Sequence, residues 1–213
     1  MKALLLDLDG TLTDPKLGIT NCIHYALDRM GLTAPPADAL DWVIGPPLHE
    51  SFRTLVGNDA ADRALAIYRE RYGTLGMYEN ELYPGIADMV AAQAALGRRI
   101  YLATSKAHVF ARPILEHFGL AGHFAGIYGS ELDGTRVDKP DLLRYIAERE
   151  GIARGDAIMV GDRRFDVEGA REIGAVSVWA DWGYGEADER DTIGPDAICV
   201  EPGELAAVLD RFA

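Results

Sequence analysis

The chain has 213 residues, 48% of them hydrophobic, enough for one large domain or for a core plus a smaller module. Its 21 Lys and Arg against 34 Asp and Glu give a net charge of −13. That disfavours a nucleic acid polymer or an anionic membrane surface as a general partner, yet it leaves a small anionic substrate open.

Residues 3–7 read as a first strand, and this apolar run is too short for a signal peptide and is interrupted by Asp7. From Ile19 to Met30 the apolar positions Ile19, Ile23, Ala26, Leu27 and Met30 fall at helical spacing, with Gly31 as the stop. Pro35-Pro36, Gly45-Pro46-Pro47 and Gly57-Asn58 punctuate three further helical stretches, the last over about 59–78. Beyond "LYPGI" the pattern alternates. Helices near 86–96, 108–118, from Pro140 and near 164–173 alternate with strands at Ile100–Ala103, Gly126–Tyr128, Ala157–Val160 and Ala175–Trp179. A last strand, Ala197–Val200, precedes a helix near 203–212. Pro113 should kink its helix or mark the true start. The order predicts an α/β fold: a Rossmann-like parallel sheet core, 1–15 and 81–213, with an inserted all-helical cap domain, 16–80. No stretch reaches the length of a membrane span. Cys22 and Cys199 match no zinc or redox spacing and suit a reducing, cytoplasmic setting.

Asp7 and Asp9 raise a physical question. Side chains at i and i+2 of an extended chain share a face, roughly 7 Å apart. Two carboxylates at that distance repel by about 2–3 kcal/mol at an effective dielectric of about 20. Solvation, protonation or a cation between them relieves this, and a simple Asp-Gly turn is the plain alternative.

In open α/β sheets ligands sit at the carboxyl ends of strands. The residues following the strands are Asp7, Asp9 and Thr11; then Thr104, Ser105 and Lys106; then Asp162 and Asp166 of "GDRRFD". Lys139 precedes Pro140, with Asp138 as a possible cap. Taken singly, each reads as a turn, a cap or a solvated charge. Together they are what a divalent cation and a phosphate need. Asp7, Asp162 and a carbonyl or carboxylate of Asp9 supply hard oxygens for Mg2+. An ionised Asp7 can attack phosphorus, and Asp9 can protonate the leaving alcohol and then activate water. Thr104 and backbone N–H groups near Gly10 and Ser105 can hold phosphoryl oxygens, and Lys139 can neutralise developing charge.

The motifs "DLDGT", "ATS", "DKP" and "GDRRFD", in this order, make the chain resemble the haloacid dehalogenase-like hydrolase superfamily over nearly its whole length. The resemblance implies an aspartyl-phosphate at Asp7, with Asp9 as general acid/base that ligates Mg2+ through its backbone carbonyl. It implies phosphate binding at Thr104, charge stabilisation at Lys139, a metal ligand at Asp162, and Asp166 as a further ligand, direct or through water. Members that cleave carbon–halogen bonds lack the second acid, so Asp9 points to phosphoryl transfer. "GTLTDPKLGITNCI", "IGPPLHESF", "ELYPGI" and "YGSELDGTR" look most like the phosphoglycolate phosphatase-like branch, and closer still to a group described as similar to 5′-nucleotidases. "SKAHVFARP" departs from the pattern: Ala107 stands where a proline is expected.

The expected protein is a Mg2+-dependent phosphatase of small phosphorylated metabolites, monomer or homodimer. A phosphomutase of a sugar phosphate and a non-catalytic phosphate-binding protein are the alternatives. Gly10, Thr11, Ser105 and Lys106 are expected at the substrate. His49 and Arg53 either meet the leaving group as a lid closes or are ordinary surface residues. Arg163 and Arg164 face the cap or solvent. "GYGEAD" (183–188) lacks the third glycine of a dinucleotide loop and reads as a plain loop, with Trp179 and Trp182 as packing.

Overall fold

The computed structural model describes residues 1–212. The chain divides into two units, Met1–Thr13 with Leu82–Ala213, and Asp14–Glu81.

The first unit is built on a six-stranded sheet. Its strands are β1 (Ala3–Leu6), β4 (Ile100–Ala107), β5 (Gly126–Ser130), β6 (Ala157–Gly161), β7 (Val176–Ala180) and β8 (Ala197–Cys199). They run parallel in the order β5-β4-β1-β6-β7-β8. The chain steps outward from β1 to one side and then returns to fill the other. β1 therefore lies where the strand order reverses, and a crevice opens there at the carboxyl ends. A parallel sheet needs apolar residues on both faces. Leu4, Leu5 and Leu6 are accordingly all buried. Ala3, Leu5, Tyr101, Ala103, Ala157 and Met159 form one face. They pack with Leu142, Leu143 and Ile146 of α6 (Lys139–Glu150) and Ala170 of α7 (Arg164–Ile173).

The other helices of this unit are α4 (Ile86–Ala95), α5 (His108–His117), α8 (Ala187–Ile193) and α9 (Leu205–Asp210). α5 starts five residues before Pro113 and runs through it, so the proline is neither the start nor the end. β4 is longer than its apolar core: it continues through Thr104, Ser105 and Lys106 to Ala107, with a register shift between Thr104 and Ala107. The expected terminal helix begins instead with a 3-10 turn, Pro202–Glu204. The short helix α8 carries no buried residue and so gave no apolar period to detect.

The second unit holds α1 (Lys16–Arg29), α2 (Leu48–Val56) and α3 (Asn58–Tyr72). α1 begins at Lys16, three residues before the apolar pattern does. α3 stops at Tyr72, and a 3-10 turn, Gly76–Tyr78, completes what reads in sequence as one long helix. The reason is a close approach: Gly18 and Gly76 meet backbone to backbone, and a side chain on either would collide, with the Gly76 carbonyl or with Cys22 Sγ. Phe52, Tyr68 and Tyr72 form the aromatic centre, with ring centroids 5.7 and 5.1 Å apart. The connecting segments, Thr13–Asp14 and Glu81–Leu82, pair as a two-stranded sheet.

Candidate active site

Each strand at the reversal point delivers its next residue to one place. Asp7 follows β1 and continues its ladder, donating its N–H to the Val160 carbonyl at 3.0 Å. Asp162 follows β6. Asp166 lies in the first turn of α7, where its carboxylate accepts the Arg163 N–H at 3.1 Å. Oxygens of Asp7, Asp162 and Asp166 all lie within 4.8 Å of one another. Lys139 enters from the first turn of α6, which Asp138 caps by accepting the Asp141 N–H. Its ammonium stands 3.0 Å from Asp7 Oδ1, 2.7 Å from Asp166 Oδ1 and 2.8 Å from the Ala103 carbonyl.

All four side chains are nearly sealed from water, Lys139 being 3% exposed and Asp162 0%. Three carboxylates against one ammonium leave two negative charges uncompensated in surroundings that favour neutral groups. Burial, with the charges of Asp7 and Asp166 added, pushes the Asp162 carboxyl well above its usual range. Burial also raises Asp166, against the opposing pull of Lys139. Lys139 loses to burial but gains more from Asp166 and Asp7, so it stays charged. Asp7 Oδ1 and Asp166 Oδ1 are buried without a well-angled hydrogen bond, although Lys139 lies within ion-pairing distance of both. Hard oxygens, surplus negative charge and buried lone pairs fit a divalent cation.

Several expected site residues are also engaged with other groups of the same unit. The Asp9 carboxylate is outside the cluster of three and pairs with Lys106 Nζ at 2.7 Å. Burial raises the Asp9 carboxyl, with Lys106 opposing. Lys106, expected at the substrate, is thus turned to Asp9. The Thr11 hydroxyl donates to Asp162 Oδ1 at 3.4 Å. The Gly10 N–H is used within its own turn, on the Thr13 carbonyl at 2.8 Å. Gly10 matters for space: its φ is +79°, and any side chain there would strike the Asp162 carboxylate. Thr104 is buried, and its hydroxyl oxygen accepts the Lys106 N–H at 3.3 Å, leaving its own proton to donate. The Ser105 carbonyl accepts from Ser130 Oγ at 2.8 Å.

His49 and Arg53 lie in the second unit. His49 Nε2 is 2.8 Å from Asp62 Oδ1, and Arg53 donates to Glu50 at 2.9 Å. Arg163 pairs with Glu189 at 3.3 Å, and the Arg164 N–H donates to the same carboxylate at 2.7 Å. The Arg164 guanidinium lies over the Phe165 ring.

The loop read from sequence as inert supports the cluster. The Tyr184 N–H donates to Asp162 Oδ2 at 2.7 Å, and Trp182 Nε1 donates to the Thr11 carbonyl at 3.1 Å. Gly183 and Gly185 press against Asp162 so closely that a side chain on either would collide with it.

The sequence model of the family described as haloacid dehalogenase-like hydrolase matches residues 4–180. A Pseudomonas aeruginosa protein named 5′-nucleotidase is 42% identical over 209 residues, 97% of this chain and 95% of that protein. The tyrosine-protein kinase PtkA of Mycobacterium tuberculosis is 40% identical over 188 residues, 88% of this chain and 65% of that protein. The crystal structure of a predicted phosphatase from Clostridium acetobutylicum superposes with a TM-score of 0.93 at 37% identity, covering 99% of this chain and 98% of that one. Among the described residues no helix is long and apolar enough to cross a membrane. With a match that runs from β1 through β7, the chain belongs to the haloacid dehalogenase-like hydrolase family.

Proposed function

We propose that the protein is a Mg2+-dependent phosphatase of small phosphomonoesters, of the nucleoside 5′-monophosphate or phosphoglycolate type, acting through an aspartyl phosphate at Asp7. The observation that carries this is the buried set Asp7, Asp162 and Asp166 with Lys139 as its one ammonium partner. The relatives named 5′-nucleotidase and predicted phosphatase support it. Asp7, Asp162, Asp166 and the Asp9 carbonyl would hold Mg2+, which when bound shields the phosphoryl charge. An Asp7 oxygen forms a bond to phosphorus as the bond to the leaving oxygen breaks. Asp9 gives that oxygen a proton, and the alcohol departs. Asp9 then takes a proton from water, whose oxygen attacks the same phosphorus. Phosphate leaves and the Asp7 carboxylate returns. Thr104, with N–H groups about Ser105, holds phosphoryl oxygens, and Lys139 keeps Asp7 ionised and steady. In this reading the helical unit serves as the cap that the resemblance implies, with His49 and Arg53 as its candidates for the leaving group.

The test is phosphate release from phosphoglycolate, nucleoside 5′-monophosphates, hexose phosphates and an aryl phosphate, with Mg2+ and with EDTA. Mg2+-dependent release that Asp7→Asn lowers by roughly a thousandfold or more is the expected result. Unchanged release by that variant overturns the mechanism. The relative named a tyrosine-protein kinase favours a second reading, phosphoryl transfer to tyrosine. Labelled ATP with a tyrosine peptide separates the two, because labelled peptide without ester hydrolysis would replace the first reading.

A further inference from the structure

Both carboxylate oxygens of Asp9 lie against a single ammonium. Lys106 Nζ is 2.8 Å from Oδ1 and 2.7 Å from Oδ2. The two side chains are 8% and 11% exposed, so solvent and salt screen the pair little.

The backbone is shaped to bring Lys106 there. β4 pairs regularly with β5 as far as Thr104 opposite Gly129, and then shifts so that Ala107 opposes Ser130. A bulge of this kind re-aims the side chains it carries. Three features hold it. Ser130 Oγ donates to the Ser105 carbonyl, and the Lys106 N–H donates to Thr104 Oγ1. Gly129 leaves room that a side chain would take from the Lys106 carbonyl. This is also where Ala107 stands in place of the expected proline.

An acid/base must reach the atom it serves with one of its own oxygens. A carboxylate held through both oxygens is not placed to do so. Lys139 is tied to Asp7, Asp166 and the Ala103 carbonyl, which match its three protons. Lys106 pairs with the Asp9 carboxylate, and a phosphoryl group entering beside Thr104 offers it a second anion.

We propose that Lys106 is a positioning residue that clasps Asp9 in the resting protein and passes to the phosphoryl anion when it enters, so that the substrate's own charge releases the acid/base. This rests on reading the site as a phosphoryl site.

Inorganic phosphate titrated calorimetrically into the Mg2+-loaded protein tests it without turnover. Wild type, Asp9→Asn, Lys106→Met and the double variant form a cycle. Asp9→Asn releases Lys106 and is expected to tighten phosphate binding about tenfold, a gain that disappears in the Lys106→Met background. Lys106→Arg keeps the cation and is expected to keep the gain. It carries the test if Lys106→Met shows no cooperative thermal transition. An equal gain in both backgrounds would mean that Asp9 merely repels phosphate; the clasp is then wrong and the site reading stands. A wild-type protein that binds no phosphate would overturn the site reading, and the clasp with it.

Discussion

Two lysines, one in each unit, sit between two carboxylates at almost the same distances. Lys16 of the helical unit is 3.0 and 2.8 Å from Asp38 and Asp41, and Lys139 of the α/β unit is 3.0 and 2.7 Å from Asp7 and Asp166. Burial separates them. The Lys16 side chain is 30% exposed and its partner Asp38 95%, whereas Lys139 and its partners are 2%, 8% and 3% exposed. Water already satisfies the first set, so pairing adds little. The second set gave up its water, so each member depends on the others. Distance alone does not set how far the members of an ion pair depend on one another; the loss of solvent does.

Replacement of the two lysines is the strongest way to break this comparison. Lys139→Met strands Asp7 and Asp166 and is expected to lower stability by about 3–5 kcal/mol in denaturant unfolding. Lys16→Met is expected to cost no more than about 1 kcal/mol. Similar losses from both would mean that burial does not separate them.

Metal affinity gives the next effect. Gly183→Ala presses on Asp162 and is expected to weaken Mg2+ binding roughly tenfold or more, read by calorimetry. Gly122→Ala, with nothing within 4 Å of the added carbon, is the control and should leave binding unchanged.

A pH series sharpens the contrast. The Asp166 carboxyl is pushed up from 3.8 to about 6, and Asp162 is also raised. The folded protein therefore holds protons that the unfolded chain has released. Their contribution to stability is greatest below pH 3.8 and declines as the pH rises to about 6. Wild type minus Asp166→Asn, measured across that window without metal, should show this slope, and Mg2+ should flatten it. A difference that grows with pH would contradict the sign.

The smallest effect is expected at His49. Its partner Asp62 is 91% exposed, so His49→Ala should change stability by no more than about 0.5 kcal/mol. A much larger change would place that pair with the buried kind.

The sequence was most legible where burial and period coincide. Leu4 to Leu6 and Ala157 to Val160 are buried on both faces, and such runs read directly as central strands. The placement of Asp7 and Asp162 follows from reading the residue after each run, and that of Lys139 from the helix start that Pro140 marks. What the sequence alone does not reveal depends on partners distant along the chain. Nothing near Lys106 says that a bulge opposite Gly129 turns it to Asp9. Nothing near Gly183 says that Asp162 lies against it. The long helix expected over 59–78 ends early because Gly18 and Gly76 meet, a contact between residues far apart in the chain.

The reversal at β1 also governs the order of assembly. β1 occupies residues 3–6, but its partners, β4 and β6, begin at residues 100 and 157. A nascent chain emerging from the ribosome would carry its most apolar strand unpaired while roughly 100 further residues were made, and with one edge still open until β6 followed. Closing loops of that length slows folding, and the exposed edge invites association with other chains. The helical unit, contiguous from Asp14 to Glu81, needs no such wait. It can become compact first, leaving Asp7, Asp162 and Asp166 to come together only once β6 has emerged.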